Sequence, residues 1–498
     1  MTALNVRLHC NGGGRYGLGH VMRCVALAQE ASARGWRVRL GGDLSPRAVQ
    51  SVAALCPAAE VETVAAGAIG PWLAAAGADV LHLDSYWLRP DDRPRGGPLV
   101  SGLRDDPWGT PGDLTIHPTL GAETAAGPPL GGVELFGVDY ALVRRQILDR
   151  RQSPTVEREG VLVVVGGTDP QGLAPRLAAG LLRLAPELAL TVVASGAGAG
   201  PLRDLAADHP RLRLLPFVDD LAAWSQRAAL VVTAAGTTVW DLAALGTPLA
   251  LVATADNQLA GYRAAVRAGL ALGLSLDPAP PDHRGEPPDL SAGLDQAVAA
   301  LTQPERLARL GARGRELVDG LGAWRVVSAW EQLVRTGVSG GPEAGLTVRP
   351  VGHQDAELLL AWRNHPATRL ASRSTGVIPW SQHREWLEAV LADPEQHRLV
   401  IVQRGPQAVG TVRWRRLGAR HWEVSLTVAP PCRGQGLGAA VLLAGQAALP
   451  RQGLTRLEAV IRHDNIASQK TFAKAGYLPF RPADAAGLTS AVAWRRLD

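Results

Sequence analysis

The chain has 498 residues, 46% hydrophobic and 19% charged, which excludes a mostly disordered, collagen-like or coiled-coil chain and predicts about three domains. Lys+Arg 51 against Asp+Glu 46 gives a net charge of +5, spread without a dense basic run, so no nucleic-acid partner is expected. The start breaks into glycines after a short strand-like run, unlike a signal peptide, and no stretch of about 18 uninterrupted apolar residues follows, so no membrane association is expected. The four cysteines, Cys10, Cys24, Cys56 and Cys432, lie far apart with no CxxC, which fits reduced thiols in a cytoplasmic protein rather than a disulfide scaffold or a metal site.

From Leu4 to about Gly42 the chain reads as a βαβ unit: an apolar run to Cys10, a glycine-rich turn, a helical stretch from His20 to Ala33, and a second run from Trp36 to Leu40. Asp79 to Asp84 adds a buried strand ending in a carboxylate, and further strand and loop signals give one parallel-sheet lobe over residues 1–150. After the charged stretch Asp149 to Arg158, the run Gly160 to Gly167 is of the kind buried on both faces of a parallel sheet. Strands predicted at Leu188 to Ala194, Leu212 to Val218, Leu230 to Ala234 and Pro248 to Ala253 extend a second lobe over 151–335, with the Pro-rich stretch Asp277 to Asp289 as a surface excursion. Two such lobes place a ligand between them, outside the carboxyl ends of their strands. Thr336 to Pro342 is turn chemistry, and 336–345 is read as a linker. In 346–498 the order changes. A strand from Leu346 and two helical stretches precede antiparallel-looking strands at Leu399 to Gln403, Gln407 to Arg415 and Trp422 to Val428; a glycine loop, a helix, a strand from Arg456 to Ile461 and a final helix follow, which predicts an α+β domain.

The loop Gly12 to His20 joins a strand to a helix, so its glycines let backbone approach a ligand while the helix start offers free N–H groups. It is an anion or sugar site, or a turn with His20 as a cap. In the second lobe, Thr233 to Asp241 runs strand, small-residue turn, helix. A diphosphate would suit the amides of Gly236, Thr237 and Thr238, with Asp241 accepting from ribose hydroxyls. The alternative is a plain N-cap by Thr237, with Asp241 favouring the helix dipole.

Taken together these motifs resemble the UDP-sugar hydrolases of pseudaminic acid biosynthesis. The family's GxGHxMR loop is matched by Gly17-Leu18-Gly19-His20-Val21-Met22-Arg23, its DxY by Asp84-Ser85-Tyr86, and its GGxDP by Gly166-Gly167-Thr168-Asp169-Pro170. Thr237 to Asp241 resembles its nucleotide helix, Asp256-Asn257-Gln258 its DNQ, and Asp319 to Val327 its DGxGxxRVV tail. Asp241 stands where the family more often has Glu, one methylene longer. The resemblance implies a two-lobed glycosyltransferase-B type α/β fold, built of two Rossmann-like parallel-sheet lobes, that transfers a sugar to water and releases UDP from UDP-2,4-diacetamido-2,4,6-trideoxy-β-L-altropyranose. Gly17, Gly19, Arg23, Gly167, Gly236, Thr237, Thr238, Asp241 and Gln258 are then substrate-binding residues. UDP leaves readily, but water needs a base; His20 suits that work. Asp84 would orient His20 or the sugar, and Tyr86 and Asn257 would position sugar and water.

In the third segment Arg433-Gly434-Gln435-Gly436-Leu437-Gly438 follows a strand ending at Val428 and opens a helix; successive amides in such a loop cradle a pyrophosphate. With the strand after it and the helix opened by Asn465-Ile466-Ala467-Ser468, it resembles the GNAT superfamily of acetyl-CoA-dependent N-acetyltransferases across 346–480. The resemblance makes acetyl-CoA a cosubstrate, held by Val428, Arg433 to Gly438, Asn465 and Ser468. Glu423, on the strand ahead of the loop, is the expected base for the attacking amine. Phe472 fills the position where many GNAT enzymes carry the Tyr that protonates the departing thiolate, and Tyr477 aligns with a packing aromatic. Acetylation of the UDP-4-amino sugar and hydrolysis of its product are successive steps of the resembled pathway, so the expectation is a bifunctional enzyme. The alternatives are a glycosyltransferase or hydrolase acting on a related nucleotide sugar with another acyl group, and a nucleotide-sugar binding protein with an inactive acetyltransferase domain. The sequence leaves the oligomeric state open.

Overall fold

In a computed structural model of the chain, residues 3–13, 17–65, 68–74, 77–85, 97–105, 108–109, 112–124, 126–153, 157–166, 169, 172–194, 199–216, 218, 220–275, 289–337 and 345–497 are described. The Pro-rich stretch apart from Asp289, and most of the expected linker, lie outside them. The chain divides into two compact units, Met1–Val327 and Ser328–Asp498, with the division inside the helix Gly322–Thr336.

Among the described residues, the first sheet contains β1 (Asn5–Cys10), β2 (Arg37–Gly42), β3 (Glu60–Thr63), β4 (Val80–Asp84), β5 (Leu99–Asp105), β6 (Trp108–Gly109), β7 (Leu114–His117) and β8 (Val133–Phe136). Its order is β3-β2-β1-β4-β5-β7-β8, parallel throughout, with β6 antiparallel on β5. The chain leaves β1 toward one edge and β4 toward the other, so the crevice outside the carboxyl ends of Cys10 and Asp84 is the point where the winding reverses. The second sheet repeats the plan with β9 (Val161–Val164), β10 (Leu190–Val193), β11 (Leu212–Leu215), β12 (Leu230–Ala234), β13 (Leu249–Val252) and β14 (Ala271–Gly273), in the order β11-β10-β9-β12-β13-β14 and all parallel. Its strands are short apolar runs because helices cover both faces, and its reversal lies between β9 and β12. The first unit is thus two Rossmann-like lobes of the glycosyltransferase-B type.

Two chain segments pass between the lobes and run against each other. Arg151 donates through Nη2 to the Arg315 carbonyl at 2.8 Å and through Nη1 to the Val318 carbonyl; Arg315 returns a bond to the Arg151 carbonyl at 3.0 Å. The second crossing then locks onto the first lobe, where buried Arg325 grips Asp319 and the Asp139 carbonyl. The tail motif seen in the sequence is therefore a structural tie.

The second unit holds β15 (Leu346–Pro350), β16 (His397–Arg404), β17 (Gln407–Gly418), β18 (His421–Val428), β19 (Gly453–Arg462), β20 (Leu478–Arg481) and β21 (Leu488–Leu497), ordered β15-β16-β17-β18-β19-β21-β20. All neighbours are antiparallel except β18 and β19, whose parallel pairing runs from His421–Arg456 to Val424–Ala459 and stops there. The two strands part beyond that point, leaving Ser425 to Val428 unpaired on that side. The expected final helix is followed by two more strands: β20 and β21 bury Leu478, Phe480, Val492 and Ala493 only by adding to β19, a pairing that no local period announces.

Close packing at the end of the first βαβ unit is strict. A Cβ on Gly42 would sit 1.9 Å from the Cys10 carbonyl oxygen, a backbone atom without room to yield. Gly42→Ala should therefore cost about 1–3 kcal/mol, read as a lower denaturation midpoint of the first unit in the full chain.

Candidate functional site

The first candidate site is built at the reversal point of the first sheet. Gly17, at φ +68°, turns the loop into the helix Gly19–Ala33, whose N-cap Leu18 offers no side-chain bond, so the first N–H groups are uncapped. His20 does not cap the helix. Its Nδ1 lies 2.7 Å from Asp84 Oδ1 and 3.0 Å from Arg23 Nη2. Arg23, one helical turn on, donates through Nε and Nη2 to Asp84 at 2.9 and 2.7 Å, and through Nη1 to Asp105 at 2.6 Å. Asp84 is 1% exposed. Burial alone would raise its pKa, but the charges of Arg23 and His20 outweigh that and hold it well below the usual carboxylate range.

Two more imidazoles lie buried in the same sheet. Burial pushes His9 down to about 4, and neither of its ring nitrogens has a partner. His82, whose Nδ1 is 3.1 Å from Ser101 Oγ, is likewise pushed down to about 4 by burial. Behind them the Cys24 thiol is pushed well up by its hydrogen bond to Cys10 and by burial, and all four cysteines are free and buried.

The second lobe brings its own helix start to this place: a Cβ on Gly19 would lie 3.0 Å from Thr237 Oγ1. Thr237 makes no side-chain cap on the helix Thr238–Leu245, so the plain-cap alternative for it is not realised. Gln258 accepts at Oε1 from Thr254 N and Oγ1, at 3.0 and 3.1 Å, which turns its Nε2 toward Gly236. Asn257 lies beside it in the first turn of the helix Asp256–Arg267. Asp241 departs from expectation. Its Oδ2 is held by Arg144 at 2.6 Å, and only the buried Oδ1 lacks a protein partner. Tyr86 and Gly167 lie outside the described residues. Sequence reasoning missed Asp105 and Arg144, whose partners are 82 and 97 residues away. It also gave no role to Asp169, which caps the helix Leu173–Leu184 through both carboxylate oxygens.

The second candidate site lies where β18 and β19 part. Gly434 and Gly436 adopt φ +77° and +76°, and the helix Gly438–Gly445 opens without a side-chain cap at Leu437, leaving its first N–H groups free. Several residues expected at a cofactor are already committed. Arg433 donates through Nε to the Val428 carbonyl and through Nη2 to Thr368 Oγ1, and Gln435 Nε2 donates to the Pro431 carbonyl. Asn465 caps the last helix by accepting from Ser468 N at 3.0 Å. Glu423 requires a correction. Burial would raise its pKa, but hydrogen bonds from Arg415 and Arg373 lower it, so the carboxylate is a weak base engaged at both oxygens. Phe472 is buried edge-on to Tyr477, with ring centroids 5.1 Å apart; burial raises the Tyr477 pKa, and its hydroxyl has no partner.

Residues 345–478 match the family described as Acetyltransferase (GNAT) domain. The second unit carries a GNAT domain. Solved acetyltransferases covering 31% of this chain, at TM-scores of 0.27 and 0.25, hold CoA or acetyl-CoA. The chain is 24% identical over 203 residues to the spore coat polysaccharide biosynthesis protein SpsG of Bacillus subtilis, covering 40% of this chain and 58% of that protein. It is 35% identical over 141 residues to the UDP-N-acetylglucosamine–N-acetylmuramyl-(pentapeptide) pyrophosphoryl-undecaprenol N-acetylglucosamine transferase of Gloeobacter violaceus, covering 27% of this chain and 36% of that protein. The chain thus spans less than two thirds of either relative. The MurG structure from Acinetobacter baumannii is 16% identical, with a TM-score of 0.44, and covers 66% of this chain and 100% of that one. Among the described residues no group of three or more His, Cys, Asp or Glu could hold a metal, and no helix is long and apolar enough to cross a membrane.

Two outcomes follow. Tyr477→Phe removes a buried, unpaired hydroxyl and should leave stability unchanged or raise it by up to about 1 kcal/mol, with acetyl transfer unaffected in a CoA-release assay. His9 and His82 have lowered pKa values, so their contribution is complete above the unfolded value of about 6.5 and is lost as pH falls toward about 4. Denaturant unfolding of the first unit should weaken over that window by roughly 1–3 kcal/mol per ring.

Proposed function

We propose that the first unit hydrolyses a UDP-linked diacetamido sugar of the pseudaminic acid type and that the second acetylates the preceding UDP-4-amino sugar from acetyl-CoA. The observation that carries the hydrolase reading is His20: Asp84 holds its Nδ1, and the helix start at Thr237 approaches the neighbouring Gly19. In this reading the diphosphate rests on the amides of Gly236, Thr237 and Thr238, and the ribose hydroxyls donate to Asp241 Oδ1, the buried oxygen that Arg144 leaves unpaired. Water attacks the anomeric carbon while His20 Nε2 takes its proton; the bond from that carbon to the diphosphate oxygen breaks, and UDP leaves with the electron pair. Helix amides aimed at that oxygen stabilise its growing charge. The sugar-nucleotide and polysaccharide names of the relatives support a substrate of this class.

In the second unit, acetyl-CoA supplies an acyl thioester. Its pyrophosphate would rest on the amides of Gly434 to Gly438, and its extended arm against the unpaired edge of Ser425 to Val428. A second reading, in which this domain binds acetyl-CoA without turnover, is favoured by Glu423 being an engaged, weak base and by Phe472 lacking a hydroxyl.

Incubation with the UDP-diacetamido sugar should release UDP and free sugar, and His20→Ala should lower that turnover about 10²- to 10⁴-fold while UDP still binds. No UDP release by the unaltered protein would overturn the hydrolase assignment. Free CoA formed from the UDP-4-amino sugar and acetyl-CoA separates the active acetyltransferase from the binding-only reading.

A further inference from the structure

The polar face of the acetyltransferase sheet carries more positive charge than it neutralises. Antiparallel register sets Arg415 opposite Glu423 and Arg413 opposite Ser425, so all four side chains share one face. Arg373, from the segment ahead of the helix Trp380–Ala392, reaches the same carboxylate at 2.7 Å. Glu423 thus binds two arginines directly and shares its single charge with a third, Arg413, at longer range. The Arg413 guanidinium lies 5.8 Å from the Trp386 ring centroid and makes no hydrogen bond to a described residue, although the residue is half-buried. A half-buried guanidinium that makes no hydrogen bond keeps all its donors available to an incoming acceptor. Ser425 beside it is exposed, so the place is open to solvent.

Position decides what the partner is. The pairing of β18 with β19 ends at Val424, one residue before Ser425, and the glycine loop lies at the far, open end of the same strand. A cofactor laid from that loop along Ser425 to Val428 brings its thioester toward the apex, next to Arg413. The cluster then faces the acceptor rather than the cofactor's own phosphates.

We infer that Arg413, with Arg373 and Arg415 held in place by Glu423, binds an anionic group of the acceptor, a phosphate or diphosphate carried by the amino sugar. This rests on the acetyltransferase half of the proposed function and gives Glu423 the work of pre-organising two guanidinium groups. Planar guanidinium donors match phosphate oxygens pairwise, which a lone ammonium does not.

The test uses the full chain saturated with CoA, which fills the glycine loop, and titrates inorganic pyrophosphate calorimetrically. Arg413→Met should remove one class of pyrophosphate site, and Ser425→Glu, which places a carboxylate opposite Arg413 at an exposed position, should do the same without touching the arginine. In acetyl transfer, Arg413→Met should raise KM for the UDP-linked amine about 10- to 100-fold, leaving KM for acetyl-CoA and the rate with an amino glycoside that carries no phosphate unchanged. Pyrophosphate binding equal in all three proteins, or an unchanged KM for the UDP-linked amine, would overturn the inference while leaving acetyl transfer standing. If the wild-type protein acetylates no UDP-amino sugar yet loses pyrophosphate binding on Arg413→Met, the anion site stands and the proposed acceptor falls.

Discussion

One buried carboxylate organises the first unit. Asp84 sits at the carboxyl end of a central strand with almost no exposure, where an unpaired charge would be intolerable. Two donors from the facing helix, Arg23 and His20, satisfy it, and in doing so they fix where that helix begins and how the imidazole is turned. Charge compensation and orientation are here one arrangement: the bonds that satisfy the buried carboxylate also hold the imidazole by its Nδ1. Asp105 extends the set by taking the remaining Arg23 nitrogen, so three elements converge on one guanidinium.

The same economy of charge separates the two units. In the first, the described guanidinium groups at the candidate site are answered by carboxylates, Arg23 by Asp84 and Asp105, and Arg144 by Asp241. In the second, three arginines surround one glutamate. A site closed in charge orients its own side chains, whereas a site left positive awaits an anion.

Local features of the fold were legible in the sequence because they depend on neighbours along the chain. The run Val161 to Val165 could only be a doubly covered strand, and glycines such as Gly17, Gly434 and Gly436 mark left-handed backbone that other residues rarely adopt. What was not legible depends on residues far apart. Nothing near Glu423 announces Arg373, fifty positions earlier, so a free carboxylate ahead of a phosphate loop read as a base. Asp241 looked available for the same reason, its partner Arg144 lying in the other lobe. Asn465 shows another limit: a side chain that opens a helix suits a ligand and a cap equally, and the structure adds the cap, its bond from Ser468 N.

The two segments that pass between the lobes run against each other, tied by Arg151 and Arg315 through backbone carbonyls. A single tether would let one lobe swivel freely; paired tethers behave like the two pins of a door and leave one axis of swing. Any change in the distance between the lobes is then confined to that one rotation, and Thr237 and Gly19, in contact across the cleft, mark its closed end.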